Sequence, residues 1–414
     1  MELDLRKREQ QDDIGNHTTR IDPIGIYVHW PFCQAKCPYC DFNSHVRPRG
    51  IDEENFVRAL TLELDYYKDL TGKRSVDTIF IGGGTPSLLG EGSVDRLLNH
   101  IQKNWSVQSG AEITLEANPA SSEAKRFESY KRSGLNRLSL GGQSLRPRDL
   151  KFLGRLHSVE EALDTIEISR KIFDRFSFDL IYARPNQTVE QWEKELREAL
   201  FLAGGHLSLY QLTIEPRTAF ADLYKAGKLK VPDDAMAVAL YQKTAELCAE
   251  AGLINYEISN YAISGHESRH NLVYWRYRDY LGIGPGAHGR LHIDEVRFEI
   301  SNLAHPEKWL AEVDDQGTGI EFKRKLELNE QVLEFLIMGL RLREGISLNR
   351  LRNEFGYEIH ESTIRDLTGQ EMILRNPNSN NLRVSANGRL ILNSIIDKLT
   401  EGLEKSTGPA LQSV

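Results

Sequence analysis

The chain has 414 residues, 40% of them hydrophobic and 27% charged, and a formal net charge of −8. That length holds a large domain and a smaller one with ample core, while the acidic balance argues against a nucleic-acid backbone as the main partner. No apolar run is long enough to span a bilayer, and the polar start from Met1 to Asp13 lacks the apolar stretch of a secretory signal.

Residues 1–22 read as a polar, flexible segment. Beyond them, apolar and β-branched runs alternate with helical patterns. The strand candidates are Ile24–Trp30, Val76–Ile81, Glu112–Ala117, Arg137–Leu140, Phe176–Tyr182 and Leu207–Ile214. Most read as apolar throughout, which suits strands buried on both faces of a parallel sheet. Helix candidates are Glu53–Asp69, Ser93–Lys103, Ser122–Ser133, Val159–Phe173 and Val189–Ala203, and Ser158 with Glu161 has capping-box spacing. The pattern predicts an α/β fold, a partial (β/α)6 barrel over residues 23–300, with a closed eight-stranded barrel as the second choice. Residues 301–325 read as a linker. From Leu326 the texture changes to a helix over Glu327–Leu342, two shorter ones at Leu348–Phe355 and Ser362–Leu367, and a hairpin of Met372–Arg375 with Leu382–Ser385. A last helix running to Leu399 completes a winged-helix-like module over 326–404, followed by a flexible tail, 405–414. Acids slightly outnumber bases from Leu326 onward, so this module suits protein docking better than DNA.

Polar residues gather where the predicted strands stop. The first runs into a cysteine loop, the second into Gly82-Gly-Gly-Thr85, the third ends at Glu116, the fourth leads to Gln143, and the fifth carries Asp179. In parallel α/β folds the carboxyl ends of the strands build the active site.

Three of the four cysteines, Cys33, Cys37 and Cys40, fall within eight residues. A structural zinc site takes two separated pairs of ligands, and no second pair exists here. The fourth thiol, Cys248, sits alone in a helical pattern and reads as a buried hydrophobe. Three thiolates and no fourth fit an iron–sulfur cubane with one open iron. Such an iron can chelate the amino and carboxylate groups of S-adenosylmethionine and deliver an electron to it. Few cysteines, clustered, with no secretory signal point to the reducing cytoplasm.

The run Tyr27-Val-His-Trp-Pro-Phe-Cys33-Gln-Ala-Lys-Cys37-Pro-Tyr-Cys40 resembles the cluster motif of radical S-adenosylmethionine enzymes, in the branch of anaerobic coproporphyrinogen dehydrogenase-like proteins. The resemblance continues through Ile81–Ser87, Glu116–Pro119, Gly134–Leu140, Leu153–His157, Asp179–Tyr182, His270–Trp275 and Asp279–His288. True dehydrogenases of that branch place another cysteine two positions after the last cluster ligand. Here that position is Phe42, the form of the heme-chaperone branch.

The resemblance implies a [4Fe–4S] cluster on Cys33, Cys37 and Cys40, and S-adenosylmethionine contacts from Tyr27, Gly83, Gly84, Thr85, Glu116, Gln143, Arg155 and Asp179. It implies heme binding at His270, Asn271, Tyr274 and Trp275, with His270 the axial ligand and His29, His157 and His288 weaker candidates. An acceptor hemoprotein, respiratory in kind, and a homodimer follow as implied partners, and no residue is assigned to catalysis. The alternative it implies is an oxygen-independent coproporphyrinogen III dehydrogenase, decarboxylating through a 5′-deoxyadenosyl radical. On the residues alone, Gly82–Gly84 also suits a tight turn, Arg155 a salt bridge, Tyr27 a core aromatic and His270 a hydrogen-bonded structural residue. The chain departs from the family pattern at Gly142, where valine is usual, and at Ala183, Arg184 and Asn186, where relatives read Gly, Leu and Gly. Asn186 is expected to keep a left-handed turn, and Arg184 to place a charge at the rim.

Overall fold

The computed structural model describes residues 22–47, 50–72 and 74–406. The expected flexible start and tail fall almost wholly outside them. Six parallel strands lie side by side in chain order: Ile24–Trp30, Ser75–Gly83, Ser106–Ala117, Arg137–Gln143, Arg175–Tyr182 and His206–Gln211. Helices Glu53–Thr71, Glu91–Asn104, Val159–Ile172 and Val189–Leu202 alternate with them. Ser158 and Glu161 form the expected capping box, with Glu161 N donating to Ser158 Oγ at 3.1 Å and Ser158 N donating to Glu161 Oε2 at 3.0 Å. Caps of this kind stabilise a helix start by about 1 kcal/mol. The expected helix over Ser122–Ser133 is instead two short ones, Ser121–Ala124 and Phe127–Arg132. They part near Arg126, whose guanidinium reaches the Ser87 carbonyl at 2.8 Å.

Residues of the first strand divide between two faces. Ile24, Ile26, Val28 and Trp30 join Phe56, Leu60 and Leu64 of the first helix in the main core. Tyr27 faces the other way, against Phe80 and His270. The third to fifth strands repeat the division: Ile113, Leu115, Leu138, Leu140, Phe178 and Leu180 are core. Between them stand Glu112, Thr114, Glu116, Arg137, Ser139, Ser177 and Asp179. Strands expected to be apolar on both faces therefore enclose a polar lumen. Buried polar groups need partners, and Arg175 pairs with Glu112 at 2.7 Å while Arg137 donates to Ser177 Oγ at 2.9 Å.

The barrel does not close. Beyond the first strand, Tyr280–Ile283 pairs in parallel, and His288–Ile293, Val296–Asn302 and Ile320–Lys325 follow as an antiparallel meander. Beyond the sixth, Asn260–Ala262 and Ile254–Asn255 add antiparallel, giving a sheet of 12 strands. Residues 301–325 are accordingly no linker. They hold helix Pro306–Gln316, with Trp309 fully buried, and the edge strand Ile320–Lys325. Trp309 Nε1 donates to the buried Glu63 of the first helix, which fastens this segment to the barrel.

The C-terminal module runs helix Leu328–Gly339, strand Ile346–Ser347, helix Leu348–Phe355, helix Glu361–Gly369, then the hairpin Ile373–Asn376 and Asn381–Val384. That is the winged-helix order, closed by helix Leu392–Glu401. Its apolar core is separate from that of the barrel and recruits Tyr277 from the barrel side. Arg297 stacks on Tyr277 at 3.7 Å, and Arg290 pairs with Glu334 at 2.8 Å across the same junction. Among the described residues, no helix is long and apolar enough to cross a membrane.

Candidate functional site

The loop after the first strand folds back on itself, with Phe32–Cys33 pairing in parallel with His45–Val46. Within it Cys40 N donates to the Cys37 carbonyl at 3.1 Å, a turn that brings the half-buried Cys33, Cys37 and Cys40 to one cavity of about 420 Å³. Thr85 Oγ1 lies 3.4 Å from Cys33 Sγ and Arg155 Nη1 3.5 Å from Cys37 Sγ, so each sulfur faces a donor suited to a thiolate. Burial, and after it the neighbouring thiols, push Cys33 and Cys40 up, and bound metal is what would hold them deprotonated. Among the described residues no three Cys, His, Asp or Glu side chains converge on one metal-ion position. A cubane instead takes its thiolates at separate corners.

The second strand delivers the glycine loop to the same cavity. Gly84 N donates to the Trp30 carbonyl at 2.7 Å and Thr85 N to the Phe32 carbonyl at 2.9 Å. A Cβ on Gly84 would stand 2.6 Å from Phe32 O, and Gly83 has φ +115°. The glycines are needed here for the close pass of the cluster loop.

Two buried carboxyls complete the wall. Glu116 accepts from Gly83 N at 3.0 Å; burial and the neighbouring Asp179 raise its pKa to about 7. Burial likewise raises Asp179 to about 6, against a hydrogen bond from the Ser208 side chain, and its Oδ1 is buried with no hydrogen-bond partner among the described residues. Such an orphan acceptor costs about 1–3 kcal/mol until a ligand donor meets it. Arg155 Nη2 bridges Asn118 Oδ1 at 2.5 Å and the Gly141 carbonyl at 2.8 Å. Gln143 lines the cavity from a left-handed backbone, φ 67°.

Of the expected S-adenosylmethionine residues, Gly83, Gly84, Thr85, Glu116, Gln143, Arg155 and Asp179 line this cavity. Tyr27 does not. Its hydroxyl donates to His29 Nδ1 at 2.9 Å, and its ring lies 6.2 Å from Phe80. The expected heme residues are elsewhere too. His270 is 1% exposed on helix Arg269–Trp275, near the amino ends of the strands. Its Nδ1 is 2.9 Å from Thr78 Oγ1 and its Nε2 2.7 Å from the Tyr274 hydroxyl. Both ring nitrogens are hydrogen-bonded within the chain, and His270, Asn271, Tyr274 and Trp275 do not line the cavity. His29 is spent likewise, between Tyr27 and the Asn43 carbonyl. Sequence reasoning passed over Asn118, Tyr39 and Tyr210, which do line the cavity. Asn118 follows Glu116 closely and Tyr39 lies between two cluster cysteines, whereas nothing marked Tyr210.

The departures from the family pattern resolve differently. Ala183 and Asn186 both take left-handed backbones, φ 56° and 59°, so the turn survives without its glycines. Arg184 does not place a charge at the rim. It is 3% exposed and turns inward to pair with Glu195, 1% exposed, while donating to Ser144 Oγ at 2.6 Å.

Residues 27–199 match the Radical SAM superfamily and residues 326–391 the HemN C-terminal domain. Heme chaperone HemW of Haemophilus influenzae is 35% identical over 397 residues, covering 91% of this chain and 98% of that one. The Escherichia coli protein of the same name is 39% identical over 328 residues, 79% of this chain and 84% of that one. Radical S-adenosyl methionine domain-containing protein 1, mitochondrial, of Bos taurus is 36% identical, covering 97% and 93%. The solved structure of E. coli coproporphyrinogen III oxidase, HemN, superposes with a TM-score of 0.77 at 22% identity, over 91% of this chain and 90% of that one, which shows a shared fold. The chain belongs to the radical SAM superfamily and, within it, to the family of these HemW and domain-containing-protein-1 relatives.

Membership implies a [4Fe–4S] cluster and S-adenosylmethionine, and the residues present fit both. Three thiols with donors beside two of them stand ready for the cluster. The orphaned Asp179 Oδ1 and the adjacent Glu116 present acceptors to a ligand rich in hydroxyl and ammonium donors.

Proposed function

We propose that this chain is a heme chaperone of the radical S-adenosylmethionine type. It binds a [4Fe–4S] cluster through Cys33, Cys37 and Cys40, S-adenosylmethionine in the adjoining cavity, and heme, which it passes to an acceptor hemoprotein, respiratory in kind. The observation that carries this reading is Phe42. Where the dehydrogenases place a further cysteine, the cavity wall here is a phenylalanine, 57% exposed, which offers an apolar face and no sulfur. Relatives named Heme chaperone HemW, aligned over most of the chain, support it.

When bound, the cluster and S-adenosylmethionine supply one-electron reductive chemistry. The chain's own residues bind and orient. Thr85 and Arg155 steady the sulfurs of Cys33 and Cys37; Arg155 would also pair with the ligand carboxylate, and Glu116 and Asp179, which line the same cavity, would take its hydroxyl and ammonium donors. The clustered thiols favour a reducing compartment, the cytoplasm, although the Bos taurus relative is named mitochondrial. A homodimer is part of the same reading.

Anaerobic reconstitution tests the cluster: about four irons and four sulfides per chain are expected. Alanine at Cys33, Cys37 or Cys40 abolishes them, and Cys248→Ala keeps them, because Cys248 is fully buried in the main core. Heme titration tests the cargo. Bound heme with no protoporphyrinogen formed from coproporphyrinogen III is the expected result. Robust turnover with reduced cluster and S-adenosylmethionine would replace the chaperone with the dehydrogenase.

A further inference from the structure

No residue of the motif Asp279–His288 lines the cavity, yet its glycine turn lies directly behind the cluster loop. Gly284 N donates to the buried Glu63 at 2.7 Å and Gly286 N to the Leu303 carbonyl at 2.9 Å, so the turn is anchored on its core side. On its other side stands Asn43, three residues beyond Cys40. Asn43 Nδ2 donates to the Pro285 carbonyl at 2.9 Å and to the Ala304 carbonyl at 2.8 Å. Its Oδ1 accepts from His45 Nε2 at 3.0 Å, and its backbone carbonyl accepts from His29 Nε2 at 2.9 Å. A Cβ on Gly286, whose φ is +73°, would stand 2.5 Å from Asn43 Nδ2. Glycine is needed there so that one amide can clasp the returning leg of the cluster loop to the barrel.

The clasp fixes the residues on either side of it. Phe42 and Ser44 flank Asn43, and Ser44 N donates to the Phe42 carbonyl at 2.7 Å. Ser44 is 6% exposed and lines the cavity together with the three cysteines. Its hydroxyl is buried and meets no nitrogen or oxygen partner among the described residues. Burying a hydroxyl unpaired is costly, so an unspent donor in the wall of a ligand site points to the ligand. What it stands beside is the Cys40 sulfur, which the Phe42 N–H also faces. The other two sulfurs already have side-chain donors, Thr85 for Cys33 and Arg155 for Cys37.

We infer that the Ser44 hydroxyl donates a hydrogen bond to the Cys40 thiolate of the bound cluster, with Asn43 as the residue that positions it. This rests on the cluster reading above. A thiol offers the hydroxyl little, whereas a thiolate is a strong acceptor. Adding one electron to the cluster adds negative charge to its sulfurs, and a donor aimed at one of them favours the reduced state. Ser44 thereby raises the reduction potential and sets how strong an electron donor the cluster requires.

Redox titration of the reconstituted full chain with dithionite, followed by electron paramagnetic resonance of the reduced cluster, tests it. Ser44→Ala should keep about four irons per chain and shift the midpoint potential to a more negative value than wild type. The ligand-free Ser44→Ala chain should unfold at the same urea concentration as wild type or a higher one, because only an unpaired hydroxyl is lost. A residue that merely packed would show the reverse, lower stability and an unmoved potential. Asn43→Ala should show the negative shift too, and hold its iron about 10–100-fold less tightly against a chelator. A wild-type or more positive potential in either variant overturns the assignment. Loss of iron from Ser44→Ala would make the hydroxyl a ligand instead of a donor and overturns it equally. No cluster in wild type would instead overturn the cluster reading itself.

Discussion

The two ends of the barrel use similar side chains to opposite effect. At the end where the strands stop, Asp179 Oδ1 faces the cavity wall with no hydrogen-bond partner among the described residues. At the other end His270 is saturated, bonded to Thr78 and Tyr274 by its two ring nitrogens and to Glu112 by its backbone N–H at 3.1 Å. Its ring stacks on Phe80 at 5.1 Å between centroids. An unmatched buried polar atom costs about 1–3 kcal/mol unless something outside the chain matches it; a matched one adds to the packed state. Asp179 is left open to a ligand, whereas His270 is spent on holding the barrel together.

Arg184 could break that comparison, because it belongs to the open end yet its contacts are as saturated as those of His270. It pairs with Glu195 and lies 3.2 Å from Asp149. Removing one partner of a buried pair leaves the other charge uncompensated, which costs about 3–5 kcal/mol. Arg184→Leu should therefore lower the urea-unfolding free energy by that much, and adding Glu195→Leu should return most of it. A loss under about 1 kcal/mol would mean the pair contributes no more than a surface one, and Arg184 would again be a rim residue.

Much of this was legible in the chain. Cys33, Cys37 and Cys40 stand in one loop, and Glu116 and Asp179 end up on one wall because the strands that carry them were readable as strands. Two things were not legible. Strands three to five were read as apolar because Ile, Leu and Phe dominate them, yet Glu112, Thr114, Arg137, Ser139 and Ser177 occupy every second place. Period 2 marks a strand with one polar face, and here that face is turned to a lumen instead of to solvent. The second was the role of His270. A histidine beside Tyr and Trp looks the same in sequence whether its nitrogens are free or taken. Tyr274 takes one, and Thr78, far away in the chain, takes the other, so only the fold could decide.

His270→Ala gives the next largest effect. It removes a fully packed ring and two hydrogen bonds, and a loss of about 2–4 kcal/mol in unfolding free energy is expected. S-adenosylmethionine affinity, measured by equilibrium dialysis on the cluster-loaded chain, should stay near wild type, whereas Asp179→Ala should weaken it about tenfold or more without a comparable loss of stability. The opposite pattern, with His270→Ala weakening the ligand and sparing stability, would exchange the roles of the two ends.

The smallest effect is a pair of pH slopes with opposite signs. Glu116 has its pKa raised by burial from 4.5 to about 7 in the folded chain. Between those values the folded state holds more protons than the unfolded one, so its contribution to stability is full below about pH 4 and fades as pH rises through 7. His270 is lowered by burial from 6.5 to about 3. Between those values the unfolded state holds more protons, so its contribution grows as pH rises from 3 and is complete above 6.5. Unfolding free energies of the ligand-free chain at pH 4.5 and pH 7 should therefore differ between variants in a set direction. Relative to wild type, Glu116→Gln gains stability at the higher pH, and His270→Asn gains it at the lower. Differences from wild type cancel the many other groups that titrate over the same range. A cationic ligand favours the ionised Glu116, so S-adenosylmethionine should bind wild type more tightly at pH 8 than at pH 6 and Glu116→Gln with less change. Equal slopes in the two variants would show that neither carboxyl nor imidazole is held as the fold implies, and the contrast between open rim and saturated floor would lose its electrostatic half.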